Sequence, residues 1–462
     1  MTSLRPRQQK AIDDIRSAYQ QGRNAPILCA ATGFGKTHTA AQIIRLALDR
    51  GRTIWFLAHL KEILDDTANR LRAEDIAFGE IRAGKPREYY RRVQIVSVQT
   101  AVRRDDLPKP DLVIVDECHL AVATTYKKVL GRASNPMLLG LTGTPCRLDG
   151  RGLGELFDEI IPTCSTETLI DEGLLAPIKY FAPHRPDLTG LRMQGGDYQQ
   201  ADLEAEMNRS KITGDAIEHY RKHCDGKRTV AFCTSIKHAE HVAEEFRVAG
   251  YRSVAISGKS KPAERNAALV GLRNGDLQVV CNAQLWVAGV DVPQIECIVM
   301  LRPSKSLTFY LQAIGRGLRT APGKSHLTVL DHAGCIFEHG PPWMERKWSL
   351  AGRQKQGERV TPVRQCPVCY CVHVPSPVCP ECGYRYSVAA HDGPEEDDGE
   401  LIEIDMRQAA ALERLAKVKE QIAKRAEQGR ARTLEQLIEL GKSRNYRHPV
   451  AWARKVMATR HF

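Results

Sequence analysis

The chain has 462 residues, 42% hydrophobic and 26% charged, enough for real cores in roughly three or four domains, and its net charge is +12. Apolar runs fall far short of the ~20 residues a spanning helix needs and MTSLRPRQQK holds no apolar signal core, so insertion and secretion are not expected and the cytosol is the expected compartment. The positive balance suits a polyanion such as nucleic acid, though alone it would equally suit an acidic protein or lipid surface.

In chain order, LRPRQQKAIDDIRSAYQ predicts an amphipathic helix after Pro6, with Ala11, Ile12, Ile15 and Tyr19 on one stripe. PILCAATGFGKT (26–37) predicts a strand at 27–29, a glycine-bearing turn, and a helix over 37–48. Gly33 and Gly35 let the turn's N–H groups face inward as an anion nest. Lys36 adds a point charge for β- and γ-phosphates, and the Thr37 hydroxyl suits Mg²⁺ at the helix start. Ala30 stands where the pattern GxxxxGKS/T has its first glycine; the flanking strand and helix supply the context the motif requires. The expected ligand is a nucleoside triphosphate held by Thr32, Gly33, Phe34, Gly35, Lys36 and Thr37.

Strands at 53–58, 93–98, 112–115 and 137–141, with a helix over 61–72, predict an α/β domain over 1–165 built on a parallel sheet. LVIVDECH puts Asp116 and Glu117 at the C-terminal end of an apolar strand, where open α/β sheets bind ligands. Asp116 suits Mg²⁺, Glu117 suits orienting and deprotonating a water, and His119 suits sensing the γ-phosphate or pairing with another domain.

Residues 166–210, with Pro177, Pro183, Pro186 and Gly195-Gly196, read as a crossover. Strands at 229–233, 253–256, 277–281, 297–301 and 327–330, with helices over 235–248, 262–272 and 309–318, predict a second α/β domain over 211–340 that lacks a Gly-Lys-Thr loop. There YLQAIGRGLR sets Gln312, Arg316 and Arg319 on one helical face by spacings of four and three. Arginines so placed suit delivery of charge to a γ-phosphate from outside the loop domain, worth ~10³ to 10⁵ in rate in phosphoryl transfer.

Residues 341–362 read as a basic linker. Cys366, Cys369, Cys379 and Cys382 follow as C-x₂-C-x₉-C-x₂-C, two knuckles suited to a tetrahedral Zn²⁺, with Gly383 relieving the second turn. A ribbon over 363–388 is too short to bury a core, so metal would fold it. Cys371 and His373 are alternative ligands, and whether the ribbon meets DNA, a protein or only the tail is open. The nine cysteines scattered from Cys29 to Cys335 suit reduced buried thiols. An acidic linker is expected over 389–405 and a basic helical tail over 406–462. Arg444, Arg447, Arg454 and Lys455, with Tyr446 and Trp452, suit phosphate contacts and stacking, or else a small helical hairpin burying Trp452.

The ordered set of Gln8 in LRPRQ, ATGFGKT, FLAHLKE, SVQTA, DECH, LTGTP, TSIKHAE, VAGVDVP and QAIGRGLR resembles superfamily 2 helicases of the DEAD/DEAH type over residues 4–335. The resemblance implies two tandem RecA-like parallel-sheet domains, then the zinc ribbon and helical tail. It implies that Gln8 reads the adenine edge, that Lys36, Thr37, Asp116 and Glu117 serve ATP and Mg²⁺, and that Thr142 and Thr144 couple hydrolysis to domain closure. Gly289 and Asp291 would contact ribose or the coupling path, and Arg316 and Arg319 would be the arginine fingers. His59, Gln99, Thr100, Thr234 and Ser235 would lie along a nucleic-acid groove.

Two positions depart from the family: Ala288 where an acidic residue is common, and LTGTP where LTATP is more usual. Within the superfamily, LRPRQQ, LAHLKE, VDECH, LTGTPCRL and LRPSKSLTFYLQAIGRGLRTAPGK look most like RadD-type bacterial repair helicases and their phage-encoded relatives. The resulting expectation is an ATP-dependent DNA helicase or translocase of replication, recombination or repair in a bacterial or phage-infected cytosol. It would act on single-stranded or branched DNA with little regard to sequence, with a protein partner at the ribbon or tail and no membrane. An RNA helicase, or a nucleic-acid scaffold using ATP as a conformational switch, is the alternative; Glu117 and both arginines argue against the scaffold.

Overall fold

The computed structural model describes residues 4–147, 150–182, 192–194, 197–199, 203–204, 207, 210–283, 292–352, 363–386, 431, 433–443 and 449–458. Two compact units divide the chain, Met1–Ser387 and Val388–Phe462.

The first sheet is all parallel. Its strands are β1 (Pro26–Cys29), β2 (Ile54–Ala58), β3 (Gly79–Ile81), β4 (Val93–Ser97), β5 (Leu112–Asp116), β6 (Met137–Thr142) and β7 (Glu159–Pro162), ordered β3-β4-β2-β5-β6-β1-β7. Successive side chains point to opposite faces, so Ile54 and Phe56 join one core while Trp55 and Leu57 join another. Helices α1 (Pro6–Gln20), α2 (Lys36–Leu48) and α3 (Lys61–Ala73) cover the first face, and α4 (Val98–Ala101) and α5 (Thr124–Gly131) the second. Coverage on both sides is why the strands read as unbroken apolar runs. β3 and β7 escaped the sequence reading because, at three and four residues, neither carries a period long enough to recognise.

Helix α6 (Thr166–Asp171) leads into a second parallel sheet. Its strands are β8 (Ile178–Phe181), then, after the hairpin of β9 (Met193–Gln194) and β10 (Asp197–Tyr198), β11 (Thr229–Cys233), β12 (Ser253–Ser257), β13 (Val279–Ala283), β14 (Cys297–Met300) and β15 (Leu327–Asp331). They are ordered β12-β13-β11-β14-β15-β8. Its helices are α7 (Ser210–Cys224), α8 (Ile236–Val248), α9 (Pro262–Asn274), α10 (Leu307–Gly317) and α11 (Cys335–His339). The expected crossover is therefore partly sheet: β8 is an edge strand, flanked by Pro177 and Pro183, as suits residues that cannot donate to a ladder.

The expected basic linker also differs. Residues 341–352 pack back on both sheet domains: Trp343 meets Tyr180 edge-on at 6.4 Å, and Arg151 forms an antiparallel bridge with Gly352. Its Trp, Met and Pro residues bury against the cores, which a reading weighted by Arg, Lys and Gly could not anticipate.

In the ribbon, β16 (Arg364–Gln365) pairs antiparallel with β17 (Val372–His373). Cys371 bridges Phe181 and the Ala182 N–H donates to the Tyr370 carbonyl at 3.1 Å, so the ribbon covers the free edge of β8. In the second unit, α12 (Leu434–Ser443) and α13 (Pro449–Ala458) pack around Leu437, Ala453 and Val456, with Trp452 half-buried against them. This is the helical-hairpin alternative. The acidic linker, Arg444, Tyr446 and Arg447 lie outside the described residues. Among the described residues, no helix is long and apolar enough to cross a membrane.

Candidate nucleotide site, nucleic-acid face and metal centre

β1 is wholly buried between β6 and β7, and delivers the glycine loop at its C-terminal end. Gly33 and Gly35 have φ of +88° and +97°, a region L side chains rarely adopt, and a Cβ would lie 2.4 Å from Leu175 Cδ2 and 2.3 Å from Gln8 Nε2 respectively. The positive φ is what calls for glycine at both positions, since the side-chain tips of Leu175 and Gln8 could shift. Gly35 is the N-cap of α2 and no side chain caps that helix, so its first amides stay open to an anion, while the Phe34 N–H donates to the Ala31 carbonyl at 3.2 Å. Ala30 is fully buried; its N–H donates to the Thr142 carbonyl at 2.9 Å, and its own carbonyl accepts from Lys36 Nζ at 2.9 Å. Since Ala30 is not among the positive-φ residues, the missing first glycine leaves no strain.

Gln8 is buried beneath the loop. Its Nε2 donates to the Phe34 carbonyl at 3.0 Å, and its Oε1 accepts from the Arg5 N–H at 3.0 Å. The amide props the loop, and Gln8 lines a second cavity with Arg5, Phe34 and Leu174, not the one that holds Lys36 and Arg316.

Asp116 ends β5, and Glu117 follows in the left-handed region with φ of 47°. The Asp116 carboxylate accepts the Glu117 N–H at 2.9 Å. His119 Nδ1 lies 3.3 Å from Glu117 Oε2 and 3.2 Å from Thr142 Oγ1, and that hydroxyl also accepts the Thr144 N–H at 3.1 Å. Burial and the charge of Glu117 raise the pKa of Asp116. Burial also opposes charge on Glu117, but the His119 hydrogen bond and the charges of His119, Lys36 and Arg316 outweigh it and lower its pKa. The family's usual alanine at Gly143 would put Cβ 3.3 Å from the Ala30 carbonyl, a close contact.

The second domain supplies the facing wall. A Cβ on Gly315 would stand 2.8 Å from Thr32 Oγ1, so α10 lies directly on the phosphate loop. Arg316 is half-buried and feels Glu117, Asp66 and Asp116; burial lowers its pKa while those carboxylates oppose the shift. Arg319 does not share the helical face expected for it: α10 ends at Gly317, and Arg319 lies beyond it in an antiparallel bridge with Leu175, where it feels Asp66 in the same way. Asp66 on α3 was missed by the sequence reading, because nothing distinguishes it from other acidic helix residues until the domains meet. Thr32, Lys36, Glu117, Thr144, Gln312 and Arg316 line one cavity of about 360 Å³.

His59, Gln99 and Thr100 gather at the C-terminal ends of β2 and β4. Gln99 is exposed, its Nε2 donating to the His59 carbonyl at 2.8 Å and its Oε1 accepting from Ser97 Oγ at 2.8 Å. Thr234 and Ser235 are both buried. Thr234 Oγ1 lies 2.9 Å from His238 Nδ1, and Ser235 Oγ caps α8 by accepting the His238 N–H at 3.1 Å. Both hydroxyls therefore face His238 at the start of α8. Gly289, Asp291 and Ala288 lie outside the described residues.

The Sγ atoms of Cys366, Cys369, Cys379 and Cys382 lie within 4.8 Å of one another, with Cys366–Cys382 and Cys369–Cys379 both at 3.6 Å. Tetrahedral Zn–S bonds of ~2.3 Å imply sulfurs ~3.8 Å apart, so the set fits zinc. Cys371 and His373 stand outside the set, and His373 Nε2 meets Tyr386 Oη at 2.8 Å.

Two parallel-sheet domains, with a phosphate loop on one and Arg316 of the other lining the same cavity, define a nucleotide-driven motor. The family described as "Type III restriction enzyme, res subunit" matches residues 1–147, and "Helicase conserved C-terminal domain" matches residues 213–321. A "51.5 kDa protein" of a Lactococcus phage is 30% identical over 77% of this chain and 77% of its own length. The Saccharomyces cerevisiae protein IRC3, named for ATP-dependent helicase activity, is 29% identical over 72% of this chain and 52% of its own. A fragment of a type I restriction enzyme HsdR subunit from Vibrio vulnificus has the same fold, with a TM-score of 0.60 and 22% identity over 74% of this chain and 66% of that one. The chain thus spans about half of the yeast relative and two-thirds of the HsdR fragment. It belongs to the superfamily 2 helicases: an ATP-hydrolysing enzyme with two RecA-like domains, of the class that translocates on nucleic acid.

Proposed function

We propose that the chain is a DNA helicase or translocase of recombination or repair. The observation that carries this reading is Arg316 of the second domain meeting Glu117 and Lys36 of the first around one cavity. ATP phosphates would lie on the amides of residues 32–37, with Lys36 beside the β- and γ-oxygens. Thr37 and Asp116 would hold Mg²⁺, which supplies charge neutralisation at the phosphate oxygens. Glu117 would orient and deprotonate the attacking water, and Arg316 and Arg319 would stabilise charge on the transferred group only when the domains close. Loss of the γ-phosphate would reach Thr142 and Thr144 through His119, which the Thr142 hydroxyl already contacts.

DNA rather than RNA is favoured by the restriction-enzyme names of the first family and of the HsdR fragment, and the net charge of +12 agrees with a phosphate-bearing track. Gln99 and His59 would sit on that track, so binding should be sequence-tolerant and weaken steeply with salt. ATPase measured with single-stranded DNA, duplex DNA and RNA tests the reading. DNA is expected to stimulate most; stimulation by RNA alone would favour an RNA helicase, and none by any polymer would remove the motor.

A further inference from the structure

Residues 341–352 leave the second domain and return to the first, passing along the nucleotide cavity. On the second domain the segment is anchored three ways. Tyr310 Oη donates to the Gly340 carbonyl at 3.1 Å, and Trp343 packs edge-on to Tyr180. The Arg346 guanidinium donates to the carbonyls of His339, Pro341 and Met344 at 3.2, 2.9 and 2.9 Å, which locks the bend.

On the first domain the Leu350 side chain packs against the core that holds Val113 and Phe157, and its carbonyl accepts the Gly154 N–H at 3.1 Å. Two glycines permit this approach. A Cβ on Gly152 would lie 1.8 Å from the Leu350 carbonyl oxygen, and one on Gly352, at φ of +115°, would lie 2.7 Å from the Gly150 carbonyl. Contact that close is between backbones, so no side-chain adjustment can relieve an added methyl there.

Between the two anchorages, Pro342, Met344, Glu345, Arg346 and Trp348 line the same cavity as Lys36, Glu117 and Arg316. We propose that residues 341–352 form a strap that is the third wall of the nucleotide site, contributed by neither sheet, with Trp348 beside the bound nucleotide. This rests on the cavity being the ATP site. Because the strap is tied to both domains, widening the cleft must pull the Leu350 carbonyl from Gly154. Nucleotide exchange is then linked to release of a contact remote from every phosphate-binding residue.

The test uses the full chain and mant-ATP or mant-ADP in stopped flow. Gly152→Val should speed mant-ADP release and raise the KM for ATP by about tenfold, equivalent to about 1.4 kcal/mol, with a much smaller change in kcat. Energy transfer from tryptophan to the mant group should fall in Trp348→Phe, a change that leaves the Gly152 contact in place. Release and KM within twofold of wild type in a folded Gly152→Val, or undiminished transfer in Trp348→Phe, would overturn the strap. If Gly152→Val does not fold, the Trp348→Phe transfer decides alone. Lys36→Ala separates the two readings: lost mant-ATP binding there with unaltered strap variants sinks only the strap, whereas retained binding sinks the site reading beneath it.

Discussion

Two strand-to-helix turns, one in each sheet domain, look alike in outline and do opposite things. After β1 the chain turns through Gly33 and Gly35 and starts α2 with no side chain on its first amides. After β11 it turns through Thr234 and Ser235, and the Ser235 hydroxyl accepts one of the first amides of α8, the His238 N–H. A helix start has unsatisfied N–H groups, and either a side chain or a ligand must meet them. The first domain leaves them open; the second caps one of them with Ser235 and contributes Arg316 from α10 instead. Duplicated architecture thus yields one nucleotide site with two unlike halves.

The largest expected effect removes the open turn's charge: Lys36→Ala should lower phosphate release by about 10³ or more while circular dichroism shows an unchanged fold. Measurable turnover close to wild type would mean the open turn is not the site. Arg316→Ala, which removes the other half's contribution, should reduce kcat by about 10³ with mant-ATP affinity changed only a few-fold, since its charge matters most in the transition state. Equal losses in affinity and kcat would make Arg316 a ground-state ligand. Glu117→Gln should keep ATP binding and lower turnover by about 10² or more, and unchanged turnover would remove it as the base.

Metal content is the next test. Purified wild type should carry about one zinc per chain and Cys379→Ser close to none, by elemental analysis. Because the ribbon covers the edge of β8, the variant should also aggregate more readily, whereas full occupancy would break the four-thiolate assignment. The smallest effect belongs to the closed turn. Ser235→Ala should cost about 1 kcal/mol in denaturant unfolding, and Ser235→Asp, an equivalent cap, should recover most of it. Loss of nucleic-acid affinity without loss of stability would instead return Ser235 to the groove.

What a single stretch of chain can carry was legible before any fold was known. The glycine loop, the Asp116-Glu117 strand end and the paired cysteine knuckles each declare their chemistry within a few residues, because backbone conformation and ligand spacing are local. The strand-helix alternation gave two α/β domains by the same logic, since burial on both sheet faces leaves an unbroken apolar signature. β8 was hidden because an edge strand between prolines has neither length nor period. The strap was hidden because the burial of Trp343 and Leu350 depends on surfaces supplied by residues far away in the chain.

Sequence by itself therefore determined the family and singled out the glycine loop, the candidate base and a cysteine set compatible with zinc. Only the tertiary structure decided that Arg316 feels Glu117 and Asp66, that Ser235 serves a helix cap, that the ribbon shields β8, and that residues 341–352 wall the cleft. The reason is physical: motifs report what a backbone segment can bind, whereas partners brought together from hundreds of residues apart are chosen by packing, which no local pattern encodes.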